Sequence, residues 1–268
     1  MNSELRDRYL YAQEFAVEGG KSTLEFFQNR DLKVDRKGDD SPVTVADRNA
    51  EKLIRAEIEA RFPDDGIVGE EFGESPGSSG YRWILDPIDG TKSFISGVPL
   101  FGTMIGIEVE TKPTIGAIYF PGLDEGIFGC VGEPTVFGRG DQMQEAKVAD
   151  TAKLSDSIFV TSEAKTFAER GAGDVYRQLE DASYVTRTWG DAYGYYLVAT
   201  GRIELMVDPI LSIWDAAAVL PILVGAGGVF CDWAGEPRID AGEAIGATPG
   251  IAEEVLQITR RYAGKFDN

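Results

Sequence analysis

The segment Tyr81-Arg82-Trp83-Ile84-Leu85-Asp86-Pro87-Ile88-Asp89-Gly90-Thr91-Lys92 sets two carboxylates around a proline where an apolar run ends. Asp86 closes Trp83-Ile84-Leu85 and so projects from the end of a predicted buried strand. Pro87 fixes its own φ and offers no backbone donor. Gly90 permits a sharp turn or the close approach of a phosphate, and Thr91 and Lys92 follow as donors. Carboxylates held this closely repel each other unless a cation lies between them. An all-oxygen cluster suits a hard divalent ion, Mg²⁺ before others, and the Ile88 carbonyl can add an oxygen without a third side chain. The chemistry such a cluster predicts is metal-assisted hydrolysis of a phosphate monoester. Asp89 also has a simpler role open to it, as a helix cap.

Further carboxylates lie at predicted element ends. Glu70 and Glu71 follow Ile67-Val68-Gly69, a short predicted strand. Adjacent strand residues point opposite ways, so only one need enter the same pocket. Glu70 is assigned to the metal site and Glu71 to the surface or a supporting position. Asp215, in Ile-Trp-Asp-Ala-Ala-Ala, opens an apolar helix, where it either stabilises the helix start or joins a second metal. Trp214 reads as packing and Asp208, before Pro209, as a turn residue. Thr44-Val45-Ala46-Asp47 has capping-box spacing with Asp in place of the usual Glu or Gln. Asp47 could instead accept from Thr91 and polarise that hydroxyl toward a water.

Composition removes several alternatives. The 268 residues contain no histidine, which excludes a Ser-His-Asp triad, a His-Cys zinc site and phosphohistidine chemistry. Acid–base work must come from carboxylates, hydroxyls, Lys, Tyr or activated water. A net charge of -19 argues against nucleic acid or an anionic membrane as partner. An anionic substrate is repelled too, unless bound cations locally reverse the field. No Gly-x-x-x-x-Gly-Lys-Ser/Thr loop is present. Cys130 and Cys231 lie in apolar contexts and read as free buried thiols. No apolar stretch reaches transmembrane length and the start lacks a secretory apolar region, so a cytoplasmic enzyme is expected.

These residues need elements to hold them. Leu5, Tyr9, Ala12, Ala16, Thr23 and Phe27 predict a helix over about 4–27. Residues 33–43 read as a charged loop or hairpin, followed by a helix from Thr44 to Phe62-Pro63. Residues 73–80 read as a surface loop. Thr103–Val109, Thr114–Tyr119 and Ile127–Val131 predict an antiparallel meander. A composition change over Gly138–Asp150 marks the expected boundary between an N-terminal α+β domain, 1–140, and a C-terminal α/β domain, 141–268. Beyond it strands and helices alternate: strand 158–161, helix 166–181, strand 185–188, helix 191–200 and strand 203–207. A helix over 214–225, strands at 228–231 and 244–247, and a final helix after Pro249 complete the α/β rhythm.

The chain resembles the inositol monophosphatase family of metal-dependent, lithium-sensitive sugar and polyol phosphatases. The matching landmarks are Ser-Pro-Val-Thr-Val-Ala-Asp ending at Asp47, Val-Gly-Glu-Glu ending at Glu71, Asp-Pro-Ile-Asp-Gly-Thr over 86–91, and Trp214-Asp215. The resemblance implies an alternating α/β/α/β/α layered sandwich, a homodimer, and a Mg²⁺ site of about two or three ions, with Mn²⁺ as a possible substitute. It implies that Glu70, Asp86, the Ile88 carbonyl, Asp89 and Asp215 hold the ions. Thr91 and Asp47, with Glu70, would assist the attacking water, and the Gly90–Thr91 backbone would help hold phosphate. Attack in line on phosphorus would then release the alcohol without a phosphoenzyme.

Specificity is sought in Arg187-Thr-Trp-Gly-Asp-Ala-Tyr-Gly-Tyr-Tyr196. Asp191 either caps the helix that starts there, with Tyr193 and Tyr196 packing along it, or meets a cationic group on the substrate. The stretch is similar to the Trp-Gly-Asp-Cys-Tyr-Gly-Tyr signature of the histidinol-phosphate phosphatase branch, with Ala192 in place of cysteine. Ile203–Pro209 is also similar to that branch, with Glu204 where an acidic residue is expected. The resemblance implies L-histidinol phosphate as the small phosphorylated substrate, with Asp191, Glu204 and Asp215 around its alcohol. An inositol-1-phosphate or broad sugar phosphatase is the alternative among enzymes, and a catalytically silent scaffold the alternative outside them.

Overall fold

A computed structural model describes residues 1–38 and 41–264; Asp39 and Asp40 of the 33–43 segment lie outside the described residues. The Asn2 side chain caps α1 (Ser3–Thr23) by accepting from the Leu5 N–H at 2.8 Å. The helix stops short of the expected Phe27. The Ser22 and Thr23 hydroxyls donate to the carbonyls of Gly19 and Gly20, both at 2.6 Å, and the chain then turns. Phe27 keeps the apolar rhythm for another reason: its ring packs 5.0 Å from Phe101 in a separate small cluster.

A short hairpin, β1 (Val34–Arg36) with β2 (Pro42–Thr44), leads into α2 (Val45–Arg61). Then come β3 (Gly66–Gly69), β4 (Gly73–Ser75), β5 (Tyr81–Asp89), α3 (Thr91–Ile95), β6 (Gly102–Val109), β7 (Lys112–Phe120) and β8 (Glu125–Cys130). With β9 (Val136–Arg139) and β10 (Gln142–Glu145) the strands form one sheet, ordered β10-β9-β8-β7-β6-β5-β3-β4. The expected meander is its middle, β6–β7–β8. Part of the expected 73–80 loop is instead the edge strand β4, paired antiparallel with β3.

The rest of the chain supplies β11 (Ile158–Val160), α4 (Ala164–Glu169), α5 (Gly173–Ala182), β12 (Val185–Arg187), α6 (Ala192–Ala199) and β13 (Leu205–Asp208). It ends with α7 (Ile213–Ala217), α8 (Val219–Gly225), β14 (Val229–Cys231), β15 (Ala244–Ala247) and α9 (Ala252–Thr259). The second sheet, β12-β11-β13-β15-β14, is parallel through β12, β11 and β13, and antiparallel where β15 joins β13 and β14. The helix expected over 166–181 is broken in two. Gly171 takes φ +76° between them, and Arg170 turns inward to donate to the Pro209 carbonyl at 2.6 Å.

Strand alternation builds the layers. Trp83, Leu85, Ile105 and Ile107 face one way and pack on Ala12, Phe15 and Ile54 of α1 and α2. Ile84, Met104 and Ile118 face the other way, onto Tyr195, Val198, Ala216 and Val219 of α6–α8. That helical layer meets Val160, Met206 and Phe230 of the second sheet. Behind that sheet, Phe159, Leu205 and Val207 pack on α4, α5 and α9. The order is the expected α/β/α/β/α sandwich. Cys130 and Cys231 are free and buried. Among the described residues no helix is long and apolar enough to cross a membrane.

Two paired glycines bring the helical layer close. A Cβ on Gly106 would lie 2.5 Å from the Ala217 Cβ, and one on Gly116 would lie 2.0 Å from the Ala218 carbonyl oxygen. Only hydrogen fits there, so the α7–α8 junction sits directly on β6 and β7. Asp215 is thereby carried to the end of β5.

Candidate active site

Asp86 has the same strand parity as Ile84 and so points into the α6–α8 side of the first sheet. The pairing of β5 with β6 is regular to Asp86 and resumes out of register at Asp89. The Pro87-Ile88 step is therefore a bulge that turns both aspartates into one space. Two bonds fix it. The Asp86 carboxylate accepts from the Ile88 N–H at 3.0 Å, and the Thr103 hydroxyl donates to the Pro87 carbonyl at 2.7 Å. Gly90 follows at φ 81°, ψ 41°, a left-handed conformation that glycine adopts without penalty, and α3 starts from it.

Asp86, Asp89 and Asp215 each offer a carboxylate oxygen lying within 4.8 Å of the other two. Asp215 stabilises the helix start, the first of the two roles the sequence left open, and its position is compatible with the second. It is the third residue of α7 in a capping box with Ser212, accepting that N–H at 2.8 Å, and it also faces the aspartate pair. Trp214 packs on the core beside it. Burial, then the charges of Glu70, Asp89 and Asp215, holds the Asp86 carboxyl well above its usual range. Asp89 is raised in the same way, by burial and then by Asp191 and Asp215. Asp215 is pushed up to about 7, mainly by burial, while the Ser212 N–H opposes the shift. Buried like charges at this spacing are stable as anions only beside a counter-cation. An oxygen-only donor set matches a hard divalent one, so the residues fit the ion the sequence calls for.

Glu70 stands near this group but is turned to Lys37, whose ammonium lies 2.7 Å from Glu70 and 2.5 Å from Glu71. The two carboxylates outweigh burial and raise the Lys37 pKa. Glu71 is not a surface group: its side chain is 4% exposed. The turn that presents both glutamates is clasped from α2. Glu51, fully buried, accepts from the N–H groups of Glu71 (2.7 Å) and Phe72 (3.2 Å) and from Arg55 (2.8 Å). Neither Lys37 nor Glu51 was anticipated. The available signal for Glu51 was an ion pair with Arg55 at i,i+4, beside the inward stripe Ala50, Ile54 and Ile58.

Asp47 combines its cap with a contact to Thr91. One oxygen caps α2, accepting from the Thr44 N–H at 2.8 Å and the Thr44 hydroxyl at 2.7 Å. The other accepts from the Thr91 hydroxyl at 3.3 Å, and that same hydroxyl lies 3.0 Å from the Ile88 carbonyl. Burial raises the Asp47 pKa, with the Thr44 bonds opposing.

Asp191 does not cap α6 with its side chain. The N–H of Ala192, first in that helix, instead donates to Asp89 at 2.5 Å, tying α6 to the β5 turn. The Asp191 carboxylate is directed at Gly90, where an added Cβ would lie 2.9 Å from its oxygen. Burial, then Asp208, pushes the Asp191 carboxyl up to about 6, against the pull of Lys92. Tyr193 and Tyr196 pack along α6 as expected, their rings tilted by 33° with centroids 5.5 Å apart. Asp208 is not a turn residue. It ends β13, is 1% exposed, and accepts from Thr161, the Ser162 N–H and Tyr195. The Pro209 that follows gave it the look of a turn.

Glu204 is not brought to this group. It precedes β13, whereas Asp208 ends that strand, so about 13 Å of strand separates them. Both Glu204 carboxylate oxygens are engaged elsewhere, by the Thr151 hydroxyl at 3.1 Å and the Ile158 N–H at 2.7 Å. Its role here is to tie the start of β11 to the preceding loop.

The sequence pattern of the inositol monophosphatase family matches residues 5–263, and the chain belongs to that family of metal-dependent phosphoric monoester hydrolases. Among its relatives, a histidinol-phosphatase of Chlorobaculum parvum is 47% identical over 234 residues, covering 87% of this chain and 89% of that protein. A histidinol-phosphatase of Streptomyces coelicolor is 34% identical over 247 residues, covering 90% and 92%. The solved inositol monophosphatase of Zymomonas mobilis superposes with a TM-score of 0.85 at 33% identity, covering 96% of this chain and 99% of that one.

Proposed function

We propose that this phosphomonoesterase hydrolyses L-histidinol phosphate to L-histidinol and phosphate in the cytoplasm. The substrate choice is carried by the Asp191 carboxylate, which is withheld from helix capping and directed at the Gly90 turn. A half-buried acid there suits an alcohol bearing an ammonium group and offers little to a neutral polyol. The names of the relatives agree with this choice.

Asp86, Asp89, Asp215, Glu70 and the Ile88 carbonyl would hold about two or three Mg²⁺ ions, with Mn²⁺ a possible substitute. When bound, the ions supply Lewis acidity toward the phosphate and the attacking water. The protein's own groups do the rest. Thr91 has one hydroxyl hydrogen and gives it to Asp47, leaving an oxygen lone pair to accept from the water and aim it at phosphorus. Glu70, released from Lys37, accepts the second hydrogen of that water. The backbone of Gly90 and Thr91 faces the phosphate, with no described side chain capping α3 to block it. In-line attack expels the alkoxide, which takes a proton from solvent, and no phosphoenzyme forms. Residues 1–140 and 141–268 act as the two halves of the site, and two copies of the chain form the working dimer.

Asp191→Asn tests the substrate choice, because it removes charge and keeps the shape. The ratio of kcat/KM for histidinol phosphate to that for inositol 1-phosphate should fall about 10- to 100-fold, as expected for losing a bond to a charged group. Equal losses on both substrates would make Asp191 a general structural residue and remove the support for histidinol phosphate.

A further inference from the structure

Asp191 occupies a backbone conformation that ordinarily belongs to glycine, at φ 55°, ψ -156°. An L residue stays there only if its surroundings hold it. The surroundings form a chain of contacts reaching back to the second sheet. The Asp191 N–H donates to the Ser162 hydroxyl oxygen at 2.9 Å. The Ser162 N–H donates to the Asp208 carboxylate at 2.9 Å. Asp208 is pinned in turn by the Thr161 hydroxyl at 3.2 Å and the Tyr195 hydroxyl at 3.1 Å. Gly190 packs so tightly on this support that an added Cβ would lie 2.1 Å from the Ser162 Cα. Asp89 meanwhile takes the N–H of Ala192, the first residue of α6, whereas an ordinary cap at residue 191 would accept from the N–H of the second or third, Tyr193 or Gly194.

We propose that Ser162, anchored by Asp208, is a positioning residue for substrate selection: it holds Asp191 in the strained backbone that turns the carboxylate to the Gly90 turn. Without the Ser162 oxygen, the Asp191 N–H loses its partner and the segment relaxes. The carboxylate then swings to the first turn of α6 as an ordinary cap, away from the Gly90 turn. Selectivity for a cationic alcohol would be lost while the aspartate cluster, on β5 and α7, is left in place. The selectivity part rests on the histidinol-phosphate assignment; the positioning part does not.

The test uses Ser162→Ala and Ser162→Thr in the full-length protein, with thermal melting to establish folding. A crystal structure of Ser162→Ala should show Asp191 at negative φ with its carboxylate on the α6 N-terminus, and Ser162→Thr should keep positive φ. In kinetics, Ser162→Ala should raise KM for histidinol phosphate about 10-fold or more with little change in kcat, and leave inositol 1-phosphate hydrolysis near wild type. Ser162→Thr should restore the wild-type KM. Retention of positive φ at Asp191 in Ser162→Ala would overturn the proposal whatever the substrate. A relaxed Asp191 in Ser162→Ala, beside a wild-type protein that shows no preference for histidinol phosphate, would uphold the positioning and refute the substrate assignment. Should Ser162→Ala fail to fold, the structure of Asp208→Asn decides in the same way. A relaxed Asp191 supports the chain of contacts and an unmoved one overturns it.

Discussion

Asp86→Asn and Asp89→Asn should each lower turnover by about 100- to 1,000-fold, the scale of losing one strong transition-state contact. The same substitutions should make the metal-free protein more stable. An acid whose folded pKa exceeds its unfolded value binds more protons when native, so stability falls as pH rises between the two values. Asp86 and Asp89 are raised well above 3.8, and Asp215 to about 7, so the cost of ionising the cluster grows as pH rises above the ordinary carboxylate range. Asparagine removes one charge from that cluster. In EDTA at pH 7.5, Tm should rise by about 2–4 °C for each kcal/mol of repulsion relieved. Added Mg²⁺ should raise the wild-type Tm more than that of either variant. Calorimetry with and without Mg²⁺, beside phosphate-release kinetics, reads both effects. Near-normal turnover at limiting Mg²⁺ would remove these residues from the metal site.

Thr91→Val should lower kcat by roughly 100-fold while KM changes little. The hydroxyl matters where the water attacks, and a contact made mainly in the transition state shows in kcat. Valine retains the volume, so α3 and the Gly90 turn should remain. Thr91→Ser, which keeps the hydroxyl, should recover much of the loss. Equal kcat for Thr91→Val and wild type at saturating metal and substrate would show that the Thr91–Asp47 contact serves only the fold.

The aspartate turn was legible because its signals are local: an apolar strand, then Pro87 and Gly90 between and beside the acids. The layered fold was legible through strand alternation and through motifs spread along the chain. For Asp47 and Asp215, capping and site roles looked like rivals in sequence. A carboxylate has two oxygens, and Asp47 uses one for the cap and the other for Thr91. What stayed hidden depends on contacts distant in sequence. Glu51 clasps a turn some twenty residues away, and Ser162 supports Asp191 from 29 residues away. Lys37 sits on a charged hairpin whose spacing gives no hint that it reaches Glu70. Asp208 looked like a turn residue because Pro209 follows it, and Glu204 was placed by resemblance alone. The fold directs Glu204 to Thr151 and Ile158 instead.

The most direct test is the ratio of kcat/KM for L-histidinol phosphate to that for inositol 1-phosphate, measured on the wild-type protein with saturating Mg²⁺ and repeated in EDTA. A site built to pair with a charged group should reject the analogue lacking it by about 100-fold or more. The account predicts at least that preference for histidinol phosphate, abolished by EDTA and restored by Mg²⁺. Equal or better use of inositol 1-phosphate, or phosphate release that persists in EDTA, would contradict it.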